Sequence, residues 1–226
     1  SDGERVIPLV TCQDYKRVFD GDRGPNTGGM GSFSPASHLD RQTFGFVLEK
    51  VVGPTIRGIA DEGHPFRGVL YVGLMLTDDG PSVLEYNVRF GDPETQVLLP
   101  RMASDLVPLM AAAAHGDLSS VRVEWRREAA VCVVVSAQGY PGHYQKGKKI
   151  TGLEQFAGRP DLLFFHAGTR TGPAGEIDDR HVPDSRASRT HDEHVARPIG
   201  RLHRGPPDDE QRRERTLRVD GRNRCR

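Results

Sequence analysis

A chain of 226 residues with 31 Lys plus Arg and 31 Asp plus Glu has no net charge, and so no bulk attraction to nucleic acid or to a membrane surface. Hydrophobic residues make up 36% of it, below the globular norm, which predicts that part of the chain adds nothing to a core. Cys12, Cys132 and Cys225 are too few and too widely spaced for a disulfide framework or a zinc site, and no apolar run reaches membrane-spanning length. Residues 1–7 carry no charged-then-apolar leader, and the expectation is a cytoplasmic protein without a membrane segment.

In chain order, residues 5–10 read as a strand. The lack of any cap or leader ahead of it predicts an N-terminal truncation. Residues 40–61 place Phe44, Val47, Val51 and Ile59 at helical spacing behind an Asp40 cap, with Pro54 expected to kink or break the helix. Residues 68–77 are apolar and β-rich, and Asp78-Asp79-Gly80 is a turn signal, so an antiparallel hairpin with the following strand is expected. Residues 95–115 read as a helical segment interrupted near Pro100 and Pro108 and ending at Gly116. A second module is expected from about Arg127, with a buried strand at 129–136, a Gly/Tyr/Pro loop at 139–147 and another strand at 162–166.

The last fifty residues differ in kind. Residues 177–226 hold 13 Arg and 10 Asp or Glu but no Lys, Phe, Tyr, Trp or Met, and no apolar periodicity survives. Such a composition cannot offset chain entropy, which predicts a disordered or aberrant tail. Nucleic-acid binding through its arginines is disfavoured by the interspersed acids. The abrupt switch to Arg alone is the pattern that an out-of-frame reading of a GC-rich gene produces.

Two motifs carry chemistry. Residues 84–95 run Leu-Glu-Tyr-Asn-Val-Arg-Phe-Gly-Asp-Pro-Glu-Thr. As a strand, its period of two sets Glu85, Asn87 and Arg89 on one face and turns Tyr86, Val88 and Phe90 toward a core. That polar face is either merely solvated or a site for a divalent metal and a phosphate; a carboxylate plus an amide oxygen suits Mg²⁺ or Mn²⁺ rather than zinc. The Gly-Asp-Pro-Glu-Thr turn then leads into a helix. Earlier, residues 21–31 (GDRGPNTGGMG) follow Lys16 and Arg17, and either form a flexible surface loop or turn their N–H groups around an anion. No Gly-Lys-Ser/Thr closes a Walker loop. His115, His143 and His166 lack metal-ligand spacing and read as satisfied or surface histidines. The basic loop at 139–149 reads as an ordinary exposed one.

Taken together, QDYKRVFDGDRGPNTGGMGSFSP, GVLYVGLMLTDDGPSVLEYNVRFGDPETQ, AAVCVVVSAQGYPGHYQKG and FHAGT resemble phosphoribosylamine–glycine ligase (glycinamide ribonucleotide synthetase), an ATP-grasp family of de novo purine synthesis. The resemblance runs over roughly residues 2–176. It implies an α+β fold: the carboxy-terminal part of an ATP-grasp lobe, antiparallel sheet with helices, over 1–120, and a partial small α/β domain over 121–176, ahead of the tail at 177–226. It also implies ligation of glycine to 5-phosphoribosylamine through a glycyl phosphate, with ATP as co-substrate and Mg²⁺ or Mn²⁺ as metal.

By the same resemblance Glu85 and Asn87 ligate the metal, and Arg89 contacts the phosphates. Asp92, Pro93, Glu94 and Thr95 shape the amine and glycine site, Asp92 doing catalytic work with Arg89, and Gly28 and Gly29 close part of the pocket. Family members carry a further N-terminal domain and a smaller ATP-binding lobe, so the chain is expected to be a fragment that does not turn over alone. Its possible partner is then the missing N-terminal half. The alternative is a non-catalytic remnant or binding module that keeps the fold.

Overall fold

The computed structural model describes residues 1–173 and 175–179, together with the backbone of residues 193–199. The chain starts in extended backbone that pairs with no strand over residues 5–10, so the strand expected there is absent. Pro8 offers no N–H to a ladder. Ile7, Leu9 and Val10 pack instead against an apolar cluster of Leu98, Met102, Leu109, Ala113 and Leu118. Asp2 fastens this segment. Its Oδ1 accepts from the N–H groups of Glu4 and Arg5 at 3.0 and 2.7 Å, and its Oδ2 accepts from that of Leu118 at 2.9 Å. Burial favours the neutral acid there, yet the three backbone donors outweigh it and hold the carboxyl down at about 2.

Four short strands follow: β1 (Gln13–Asp14), β2 (Arg17–Phe19), β3 (Arg23–Asn26) and β4 (Gly31–Ser34). β1 pairs with β4 and β2 with β3, both antiparallel. Helix α1 (Arg41–Val47) begins at Asp40, whose Oδ1 accepts from the Thr43 N–H at 2.7 Å. A π-helical turn, Leu48–Val52, joins it without a break to α2 (Gly53–Asp61), and Pro54, which has no N–H to give the turn before it, falls where the winding changes from π to α. The expected interruption is therefore a local change of winding.

Strands β5 (Tyr71–Thr77) and β6 (Gly80–Asn87) form the expected hairpin around Asp78-Asp79. Register slips by one between Gly73 and Leu74, leaving Leu84 as the extra residue of a bulge. Helix α3 (Thr95–Leu98) passes through a 3₁₀ turn, Leu99–Arg101, before α4 (Leu106–His115). The break falls near Pro100, as expected. Pro108 does not interrupt: it lies in the first turn of α4, behind an Asp105 cap, and Gly116 ends the helix in the left-handed conformation at φ 85°.

The remaining strands are β7 (Ala129–Val135), β8 (Lys149–Ile150), β9 (Leu163–Phe165), β10 (Thr169–Thr171), β11 (Ile177–Asp179) and β12 (Glu193–Ile199). A five-stranded sheet runs in the order β1-β4-β7-β12-β9, and a three-stranded one in the order β10-β11-β8. The larger sheet thus spans both modules expected from the sequence, because Ala130–Val133 ladders directly onto Gly31–Ser34. β11 and β12 lie within the segment expected to be a structureless tail; the rest of that segment lies outside the described residues.

Helix α3 is short but doubly anchored. Leu98 joins the cluster around α4, while Val97, fully buried, packs with Ala130 and Cys132 of β7. The buried Arg101 guanidinium ties the following turn to the sheet, donating to Ser34 Oγ at 2.6 Å and to the Glu128 carbonyl at 2.9 Å. Since α3 starts at the end of the Gly-Asp-Pro-Glu turn, this packing sets the position of that turn.

Candidate functional site

On β6 the cross-strand partners of Glu85 and Asn87 are Gly73 and Tyr71, with no slip between the two pairs. Both side chains therefore leave the same face of the hairpin, as the period of two requires. The strand ends at Asn87, and Arg89 lies in a bend beyond it, where its Nη1 donates to the Phe90 carbonyl at 2.8 Å. Arg89 consequently does not continue the strand face. The core-facing expectation also needs correcting. Val88 is 74% exposed, and Tyr86 reaches sideways so that its hydroxyl meets Thr55 Oγ1 at 3.0 Å; Phe90 alone of the three packs on the apolar cluster. Glu85 is exposed and Asn87 half-buried.

The turn after the strand is built closely. Thr95 caps it through its N–H to the Gly91 carbonyl at 3.1 Å, and its hydroxyl bonds the same oxygen. Pro93 is buried, and its carbonyl accepts from Ser32 Oγ of β4 at 2.8 Å. Glu94 is buried and takes the Tyr71 hydroxyl proton donor at 2.7 Å. Gly91 permits this, because a Cβ there would lie 2.3 Å from Glu94 Oε2. Asp92 points outward and accepts from Gln96 Nε2 at 2.7 Å. Glu94 and Asp92 thus face different surroundings, although sequence reasoning grouped them.

The glycine-rich loop is not an open anion cradle. The Thr27 N–H donates to the Lys16 carbonyl at 2.8 Å, the Gly29 N–H to Thr27 Oγ1 at 3.1 Å and the Met30 N–H to the Tyr15 carbonyl at 2.6 Å. Two of these donors stitch the loop to Tyr15 and Lys16, between β1 and β2, and the third is spent within the loop itself. Gly28 sits between them. Gly29 has a different use: at φ 143° a Cβ on it would lie 2.3 Å from Pro93 Cδ and 2.8 Å from Asp14 Oδ1. Its missing side chain lets the proline turn and the Asp14 carboxylate converge.

Asp14 and Tyr71 are site residues that the sequence reading missed, and Lys16 was noted only for its charge. The Gln-Asp-Tyr-Lys run held a signal, since a period of two places Asp14 and Lys16 on one side of an extended chain. Lys16 Nζ bonds Asp14 Oδ2 at 2.6 Å, while Asp14 Oδ1 is buried with no hydrogen-bond partner. Burial pushes the Asp14 carboxyl up to about 6 against the pull of Lys16, with the Glu94 charge adding to the rise. For Lys16, burial works against its charge, but Asp14, Glu94 and Glu85 outweigh it and raise its pKa. Burial first, and then the Glu94 hydrogen bond, raises that of the Tyr71 hydroxyl. Asp14, Lys16, Tyr71, Glu94 and the β6 face thus share one electrostatic neighbourhood.

Among the described residues no group of three or more His, Cys, Asp and Glu is arranged to hold a metal ion. The Glu85–Asn87 pair fits a hard cation by chemistry, two oxygen donors leaving positions for phosphate oxygens and water. Gly73 opposite Glu85 leaves that face open, a Cβ there meeting the Glu85 side chain at 3.0 Å. No helix among the described residues is long and apolar enough to cross a membrane.

Comparison with known proteins bears on the same segments. The family model for the phosphoribosylglycinamide synthetase ATP-grasp (A) domain matches residues 1–95, and that for the C domain of the same synthetase matches residues 130–185. The phosphoribosylamine–glycine ligase of Rhizobium meliloti is 51% identical over 176 residues, covering 78% of this chain and 41% of that protein. The ligase of Vigna unguiculata is 50% identical over 179 residues, covering 78% and 58%. A crystal structure of phosphoribosylamine–glycine ligase from Thermotoga maritima superimposes with a TM-score of 0.71 at 36% identity, covering 87% of this chain and 46% of that one. The chain therefore spans between about two fifths and three fifths of the length of these relatives.

Proposed function

Because the chain belongs to the phosphoribosylglycinamide synthetase family and has its α+β ATP-grasp fold, we propose that it forms the substrate-side part of an ATP-dependent carbon–nitrogen ligase. The reaction proposed is the joining of glycine to 5-phosphoribosylamine, giving glycinamide ribonucleotide, ADP and phosphate. The observation that carries it is the union, within matched residues 1–95, of the Glu85–Asn87 face with the closely packed turn at 91–95. The segment that completes the ATP site in the relatives is the proposed partner, and the setting proposed is the cytoplasm.

In this reading ATP phosphorylates the glycine carboxylate, and the amine of phosphoribosylamine then displaces phosphate from the glycyl carbon. Glu85 and Asn87 would hold the divalent metal, Mg²⁺ or Mn²⁺, which when bound supplies charge neutralisation at the transferred phosphoryl group. Arg89, off the strand but exposed beside it, would turn its guanidinium toward phosphate oxygens by exchanging its bond to the Phe90 carbonyl for them. The exposed Asp92 would orient the attacking amine. Pro93, Glu94 and Thr95, with Gly28 and Gly29 across from them, would wall the pocket and exclude water.

A growth assay tests the proposal. The 176-residue matched segment of this chain is exchanged into the Rhizobium meliloti ligase, and the chimera is expressed in a bacterium lacking its own phosphoribosylamine–glycine ligase. Growth without added purines is expected, and loss of growth is expected for Glu85→Ala. A folded chimera that never restores growth would contradict the proposal and favour a non-catalytic remnant.

A further inference from the structure

The carboxylates around Lys16 outnumber it. Asp14 holds its Nζ directly at 2.6 Å, and Glu94 and Glu85 both act on it electrostatically. That local excess of negative charge attracts a cation. Within it the Asp14 side chain is only 8% exposed, and its Oδ1 has no hydrogen-bond partner, so one acceptor is left unused at the point where Gly29 and Pro93 close. A buried, unpaired carboxylate oxygen is costly to a fold unless something else uses it. Lys16 itself shows what chemistry fits: a primary ammonium on the Asp14 carboxylate. Its side chain is 46% exposed, so Oδ2, the oxygen it occupies, is uncovered when the lysine stem swings aside, while Oδ1 stays against Gly29.

We propose that Asp14 and Glu94 together receive the primary amine of a substrate, with Lys16 as the exchangeable ammonium that keeps the site occupied until the substrate arrives. Tyr71 is the positioning residue: its hydroxyl fixes the Glu94 carboxylate at 2.7 Å. The displaced Lys16 then meets the anionic group of the incoming molecule, so a zwitterion is matched at both ends. The inference rests on the ligase reading, in which glycine and phosphoribosylamine both carry such an amine. It adds Asp14, Lys16 and Tyr71 to the residues that reading uses.

The charged and titratable groups facing Asp14 are Lys16 from its own strand region and Glu94 from the turn before α3. Tyr71 on β5 and Glu85 on β6 complete the neighbourhood. In the empty site the Asp14 carboxyl titrates near 6, and a bound ammonium favours its ionised form. The test is ¹³C NMR of the full 226-residue chain carrying carboxyl-labelled aspartate, with glycine as the probe and N-acetylglycine as the amine-blocked control. Asp14→Asn identifies the resonance, and the wild-type titration decides the matter.

Saturating glycine is expected to lower the Asp14 midpoint by at least about one pH unit, and N-acetylglycine to leave it in place. Glu94→Gln is expected to raise the glycine concentration needed at least about tenfold. A midpoint that ignores glycine, or that moves equally with N-acetylglycine, overturns the inference. A midpoint deaf to glycine beside a chimera that supports growth removes this inference and leaves the ligase reading standing. A responsive midpoint beside a chimera without growth does the reverse.

Discussion

Replacing Asp14 by Asn should stabilise the chain at neutral pH, which is the opposite of what loss of an ion pair would do. The Asp14 carboxyl titrates near 6 in the folded protein against an ordinary 3.8, because burial outweighs the help from Lys16. Between those two values the native state keeps a proton that the unfolded state has already lost, so wild-type stability falls as pH rises from about 4 to about 6 and stays lower above that. The gap of about two pH units corresponds to about 3 kcal/mol. The amide puts its NH₂ where Oδ1 already lacks a partner, so no new orphan is created. Urea denaturation of both proteins at pH 4, 5, 6, 7 and 8 gives the difference directly. It should grow by about 2–3 kcal/mol in favour of Asp14→Asn between pH 4 and 7, then level off. A difference that is flat, or largest at pH 4, would refute the burial argument.

Gly29→Ala should destabilise by about 1–3 kcal/mol in thermal unfolding, since its Cβ would collide with Pro93 at a φ of 143°. Asp2→Asn should cost about 1–3 kcal/mol at pH 7 by leaving a buried backbone N–H unsatisfied. Because the Asp2 carboxyl sits near 2 when folded, its contribution is present above about 4 and lost as pH falls through 2, so the two denaturation curves should converge there. Leu98→Ala should cost about 2–5 kcal/mol and loosen the turn ahead of α3, read as faster hydrogen exchange at Thr95 and Val97. Tyr71→Phe should cost about 1–3 kcal/mol at neutral pH, as the buried Glu94 loses its hydroxyl donor.

The parts of the molecule that the sequence displays are the local ones. The β5–β6 hairpin, the Asp40 cap and the Gly116 stop each depend on a handful of adjacent residues, and each is where turn and cap chemistry puts it. The Glu85–Asn87 face is legible for the same reason, as alternation along one strand. Long-range pairing is not. That Ala130–Val133 joins Gly31–Ser34 in one sheet depends on residues about a hundred positions apart, and nothing in either segment names the other.

The same holds for Asp14. Its burial is created by Pro93, brought against it through Gly29, so the property that makes it interesting exists only after folding. Arg89 was misplaced because the alternation continues in the sequence past the point where β6 ends. There the backbone bends toward Gly91, where only a glycine admits the Glu94 side chain. Residues 5–10 are rich in β-branched and apolar residues like a strand, but Ile7, Leu9 and Val10 pack on the helical cluster, without a ladder.

The central claim is that this chain supplies the metal-and-amine side of a glycine-activating ligase. Its most direct test is glycine- and phosphoribosylamine-dependent ADP release by the purified chimera that carries the 176-residue matched segment in the Rhizobium meliloti ligase. The predicted rate lies within about tenfold of the parent enzyme and falls at least about a hundredfold in Glu85→Ala. A folded chimera releasing no ADP in response to both substrates, or one whose rate is untouched by Glu85→Ala, would contradict it.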